Sequence, residues 1–107
     1  MTRTRGIFGQ LAPNAESLET LYTVPPSKTA AVHVIITNRG AQTSFRVSAA
    51  VDGAVDDLKQ YLAYDKIIDA LDTGTTVSFL LGPGDKVRVY AGSANLSFNC
   101  TGTEEYK

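Results

Sequence analysis

Between Val77 and Gly102 apolar and polar residues alternate in three short runs. Val77, Phe79 and Leu81 share one face of the first, Val87, Val89 and Ala91 of the second, and Leu96, Phe98 and Cys100 of the third. Successive side chains of a strand point to opposite faces, so each run has one side to bury and one to show to water. Gly82-Pro83-Gly84-Asp85 and Gly92-Ser93-Ala94-Asn95 stand between the runs. Glycine there supplies positive φ and proline pre-sets a turn. The pattern predicts an antiparallel meander.

Upstream, Thr29 to Thr37 is rich in β-branched residues and reads as a strand. Ser44 to Val51 returns with Phe45, Val47, Ala49 and Val51 inward and Arg46, Ser48 and Ala50 outward. The loop Asn38-Arg39-Gly40 predicts that the two pair as a hairpin. Leu18 to Val24, stopped by Pro25-Pro26, fits a short edge strand. Asp52 to Lys59 reads as a turn and an acidic loop with a helical turn at Val55 to Leu58. Gln60 to Ile68 fits strand or helix by pattern; its two tyrosines, its isoleucines and the surrounding spacing favour strand. Asp69 to Thr75 reads as a loop and Thr103 to Lys107 as a polar tail. Residues 1–12 read as an N-terminal arm, in which a first strand can form around Ile7 to Leu11. Thr2 to Arg5 has nothing apolar to bury and is either loose or held by a partner.

Turn signals at this spacing predict an all-β protein: one antiparallel β-sandwich of about seven or eight strands over residues 13–107, immunoglobulin-like or of jelly-roll type. A length of 107 residues allows one domain with a single modest core. The formal net charge of -1 argues against a nucleic-acid footprint, which needs a basic stripe. No apolar run approaches the ~20 residues of a membrane helix, and the N-terminus lacks the apolar segment of a secretory signal. The expectation is a protein made in the cytoplasm.

Catalytic chemistry finds little to stand on. His33, the single histidine, lies mid-strand between two valines, where a nucleophile-activating imidazole would be ill placed. Asp65, Asp69 and Asp72 occupy a strand end and a loop, where aspartate is a good turn residue. Asp52, Asp56 and Asp57 lack calcium-loop spacing, and one cysteine gives neither a disulfide nor a zinc site. The reading is no enzyme, no cofactor and no metal. Binding is better supported. Arg46, Arg88 and Tyr90 fall on outward strand positions, and arginine and tyrosine anchor interfaces because each offers large area with a polar tip. The arm adds Arg3, Arg5, Ile7 and Phe8, while the tail carries Glu104 and Glu105, so arm and tail are expected to lock between neighbouring copies.

Several stretches carry a resemblance: GQLAP, ETLYTVPPSKTAAVHVIITNRGAQTSFRVSAAV, KQYLAYD and GPGDKVRVYAGSANLSFNCTGTE. Together they resemble a family of small all-β virion proteins of tailed bacteriophages. The most telling elements are Leu21-Tyr22-Thr23-Val24-Pro25, Asn38-Arg39-Gly40 with Phe45-Arg46-Val47, and Gly84-Asp85 leading into Val87-Arg88-Val89-Tyr90. The resemblance implies a particle component, foremost a head decoration (cement) protein bound to the major capsid protein or another virion protein. It also implies a homo-oligomer, with a trimer favoured, and a place in the virion. The alternative is a tail, baseplate or fibre module, one that recognises glycan through Asp52 to Lys59 and Asp69 to Thr75.

Overall fold

A computed structural model describes residues 3–107. Met1 and Thr2, the head of the expected arm, lie outside the described residues. The strands are β1 (Arg3–Leu11), β2 (Leu18–Thr23), β3 (Lys28–Asn38), β4 (Thr43–Ala50), β5 (Tyr61–Ile68), β6 (Thr73–Thr75), β7 (Phe79–Leu81), β8 (Lys86–Ala91) and β9 (Leu96–Tyr106). They form two antiparallel sheets stacked as a sandwich, one in the order β1-β9-β3-β6 with β7 also on β3, the other β2-β8-β4-β5. Short 3-10 turns at Val51–Gly53 and Leu58–Gln60 interrupt the long β4–β5 connection.

One rule generates this pairing. β1 pairs with β9, β2 with β8, β3 with β6 and β7, and β4 with β5, so the first half of the chain runs back along the second. β6 and β7 act as one interrupted strand on β3, opposite Ile35–Thr37 and Ala30–Val32. Such a folded-back ribbon, rolled so that successive pairs alternate between layers, is the jelly-roll arrangement. It is the second of the two sandwich types the sequence left open.

The meander expected over Val77 to Gly102 does not form. β7 and β9 lie in one sheet and β8 in the other, so the two connecting turns cross between layers. The β3–β4 hairpin fails in the same way, because β3 pairs with β9 while β4 pairs with β8. Alternation identifies the face that must be buried, but every strand buries into the same interlayer space, so it does not choose the partner. Asn38 marks the crossing. Its Nδ2 donates to the carbonyls of Ala41 at 2.9 Å and Asp69 at 3.0 Å, and its Oδ1 accepts from Gly40 N at 3.0 Å. This buried amide satisfies backbone groups that a hairpin ladder would otherwise have paired.

The core fills the space between sheets. Val32, Val34 and Ile36 of β3 and Leu96, Phe98 and Cys100 of β9 meet Phe45 and Val47 of β4 and Val87, Val89 and Ala91 of β8. Phe45 packs edge-on to Phe98, ring centroids 6.4 Å apart. Burial pushes the Cys100 thiol up to about 12, so it stays a neutral core group. At Gly102 the sheet admits no side chain, since a Cβ would sit 2.0 Å from the Ala31 carbonyl oxygen.

Several boundaries move from expectation. Residues 3–11 of the expected arm are an edge strand along β9, and the expected tail continues β9 to Tyr106. β5 is a strand, as expected for Gln60 to Ile68. The first run starts at Phe79, leaving Val77 78% exposed. In β4, Phe45 and Val47 are buried as expected and Ala49 partly so, but Ser48 and Ala50 are buried as well. Val51, expected inward, is exposed, because the chain leaves the sheet there.

Candidate functional site on the outer face of the second sheet

The outer face of the β2-β8-β4-β5 sheet carries the molecule's most organised polar cluster. β5 bulges opposite Arg46: Phe45 pairs with Lys66 and Val47 with Ala63, so Tyr64 and Asp65 both face one β4 residue. Asp65 takes the extra position with φ 50°. Its Oδ1 accepts from Arg46 Nε at 2.6 Å and its Oδ2 from the second guanidinium nitrogen at 3.3 Å. The guanidinium lies between two rings, 4.3 Å from the Tyr64 centroid and 4.4 Å from that of Tyr90. Tyr61 meets Tyr64 edge-on at 5.0 Å and donates to Asp56 at 2.9 Å. Partial burial and the Asp56 carboxylate push the Tyr61 phenol above its usual pKa. The Asp65 hydrogen bond likewise holds the Arg46 guanidinium firmly cationic.

At the opposite end of the same face the β4–β5 connection folds back over the sheet. Arg88 holds it there, donating to the Ala54 carbonyl at 2.8 Å and the Gly53 carbonyl at 3.2 Å. Ser48 and Ala50 face outward by register, opposite Arg88 and Lys86, and this connection covers them. Gln60 tethers the inner side through Val55 O at 2.8 Å, while its Oε1 and Ser48 Oγ are buried without a partner among the described residues. The outer side exposes aliphatic surface: Val51 is 74%, Val55 87% and Leu58 75% exposed. A hollow of about 510 Å³ lies among Ala49, Val51, Ala54, Lys59 and Gln60. Asp52, Asp56 and Asp57 of the same connection are exposed as well. Isolated apolar residues on a surface are ordinary; here three are exposed on one short connection beside a hollow.

The residues singled out from sequence are thus distributed over several environments. Arg46 and Tyr90 come together in one cluster, and Arg88 binds the neighbouring connection. Arg3, Arg5 and Ile7 sit apart on β1, in the other sheet. Arg3 pairs within the chain, Nε to Glu105 Oε1 at 2.6 Å, across the β1–β9 ladder. Phe8 turns inward and stacks on Tyr22 at 5.6 Å. His33 lies on the outer side of β3, opposite Thr101. Sequence reasoning did not group Val51, Val55 and Leu58 as a surface, because it set Val51 on the inward face of a strand and Val55 to Leu58 in a helical turn. Their signal was three aliphatics close together in a short stretch with three aspartates and a glycine-alanine spacer.

Comparison with known proteins gives fold without family. No protein-family model matches the chain, and no curated protein does. Among solved structures, a chain in the structure of infectious bursal disease virus, Gx strain, superposes with a TM-score of 0.53 at 8% identity. The match covers 95% of this chain and 29% of the viral one, so the chain spans under a third of that protein's length. At this identity the likeness establishes a shared sandwich fold.

Proposed function

We propose that this protein is a virion structural component, foremost a bacteriophage head decoration protein that docks on the shell through the β4–β5 connection. The observation that carries the reading is the exposed aliphatic set Val51, Val55 and Leu58, on a connection that Arg88 holds against the sheet and that also exposes Asp52, Asp56 and Asp57. Burying three aliphatic side chains contributes ~1.5–3 kcal/mol each, and the fixed connection loses little conformational freedom on docking. The acidic character of the connection suits a partner segment with an apolar anchor flanked by lysine or arginine, which fits a surface of the major capsid protein. The fold shared with a virus-particle chain and the resemblance to phage virion proteins support the same setting. Copies of this chain, in a trimer or otherwise, would multiply modest contacts over the shell.

The test is co-sedimentation with shells lacking the protein. Val55→Asp with Leu58→Asp is expected to abolish binding while leaving the melting temperature within a degree or two, since both side chains are solvent-exposed. Retained binding by the double variant overturns the docking surface. A tail or baseplate position is the second reading; copy number separates the two, with hundreds per particle marking the head.

A further inference from the structure

The Arg46 cluster borders a second hollow, of about 420 Å³, at the end of the sheet face away from the β4–β5 connection. Its walls are of two kinds. Glu16, Thr43, Ser44 and Asp65 place carboxylate and hydroxyl groups at it, while Ile67 and Tyr90 supply apolar surface. Glu16 is exposed, and its backbone N–H is spent on the Ala91 carbonyl at 2.8 Å. We propose that this hollow binds a neutral saccharide.

The chemistry excludes the competing ligand classes in turn. An anion would meet two carboxylates, and the single guanidinium present is already neutralised by Asp65. A metal ion would need convergent ligands, and among the described residues no group of three His, Cys, Asp or Glu side chains can hold one. An extended peptide adding to a sheet needs unpaired backbone groups; in this sheet those lie along the outer edges of β2 and β5, whereas the hollow is lined by residues of β8, β4 and β5 and so lies across the face. What remains is a ligand that donates hydroxyl hydrogens to carboxylates and lays a C–H face on an aromatic ring. The site is also built to hold its shape. The Tyr90 ring is braced by Arg46, and at Gly92 a Cβ would sit 2.6 Å from Thr43 Oγ1, so glycine keeps that wall open. Glu16 and Asp65 hold φ values of 58° and 50°, a conformation that costs a non-glycine residue energy.

The hollow lies apart from the patch proposed for shell docking, so the inference does not depend on where the chain sits on a particle. Amide chemical-shift titration of the intact chain tests it, with glucose, galactose, mannose, rhamnose and N-acetylglucosamine as probes and N-acetylneuraminate as the anionic comparison. At least one neutral sugar is expected to shift Glu16, Ser44, Ile67 and Tyr90 together at millimolar concentration, with the anionic sugar giving no shift there. Glu16→Gln is expected to weaken that binding about tenfold, the loss of one charge-assisted hydrogen bond. Glu16→Gly is expected to raise the melting temperature while losing the sugar, and shell co-sedimentation is expected to be unchanged in both. No response to any of the five neutral sugars, an equal response to N-acetylneuraminate, or full binding by both Glu16 variants would overturn the proposal. Loss of shell binding in the Glu16 variants would overturn it too, by assigning the hollow to the protein contact.

Discussion

Replacing Tyr22 by phenylalanine probes the polar contact that crosses the sandwich interior. Tyr22 of β2 is 7% exposed and donates its hydroxyl to Oε2 of Glu104 on β9, itself 8% exposed. The other carboxylate oxygen has Lys28 Nζ at 3.4 Å, and that ammonium lies 4.9 Å from the Tyr106 ring centroid. Tyr22→Phe leaves the Phe8 stack in place and takes one hydrogen bond from a buried carboxylate. A hydrogen bond to a charged group is worth ~1.5–3 kcal/mol, which at ~4 °C per kcal/mol lowers Tm by about 6–12 °C in a domain of this size.

The pH dependence gives the same substitution a second readout. Burial, reinforced by the hydrogen bond to Glu104, raises the Tyr22 phenol far above its ordinary pKa. The unfolded chain therefore loses this proton near pH 10 while the folded chain keeps it. Stability from the pair is complete below pH 10 and falls above it by about 1.4 kcal/mol per pH unit. Urea unfolding between pH 7 and 11 measures both effects. Tyr22→Phe should be less stable at neutral pH, and its alkaline slope should be shallower by that amount. A loss below ~0.5 kcal/mol at pH 7, or an unchanged alkaline slope, would refute the buried contact.

Other outcomes follow from particular contacts. Phe98→Ala empties a fully buried position against Phe45 and is expected to cost ~3–5 kcal/mol by chemical denaturation. Gly102→Ala drives a methyl into the Ala31 carbonyl, and overpacking of ~1–3 kcal/mol or more should appear as a lowered Tm or loss of soluble protein. Arg88→Ala frees the carbonyls of Gly53 and Ala54; amide exchange over residues 51–60 should accelerate while that of β9 is unchanged. Cys100 should resist alkylation in the native state and react only on unfolding, since it is fully buried.

The sequence made the strands legible and left their pairing dark, for a physical reason. Val87, Val89 and Ala91 advertise a buried face by period, and they are buried. The same period is indifferent to whether β8 pairs with β7 or with β2 and β4, because both choices bury the same side chains. Turn chemistry misled further: Asn38-Arg39-Gly40 looks like a hairpin loop, yet Asn38 spends its amide on Ala41 and Asp69 to turn a corner between layers. The Arg46 site was half visible, as an arginine and a tyrosine on outward positions. Its other half, Tyr64 and Asp65, depends on a β-bulge, and a one-residue insertion in pairing leaves no mark in composition. Phe8 shows the converse, since an edge strand with a register shift between Ile7 and Gly9 turns an apparent surface anchor into a half-buried ring packed against the core.

The central claim is that this jelly-roll serves by touching other virion proteins through its β4–β5 connection. An image reconstruction of intact particles containing the protein tests it most directly. The account expects many copies on the head, with Val51, Val55 and Leu58 buried against the shell and Arg88 still holding the connection. A reconstruction in which that connection points into solvent while another surface makes the contact would contradict it.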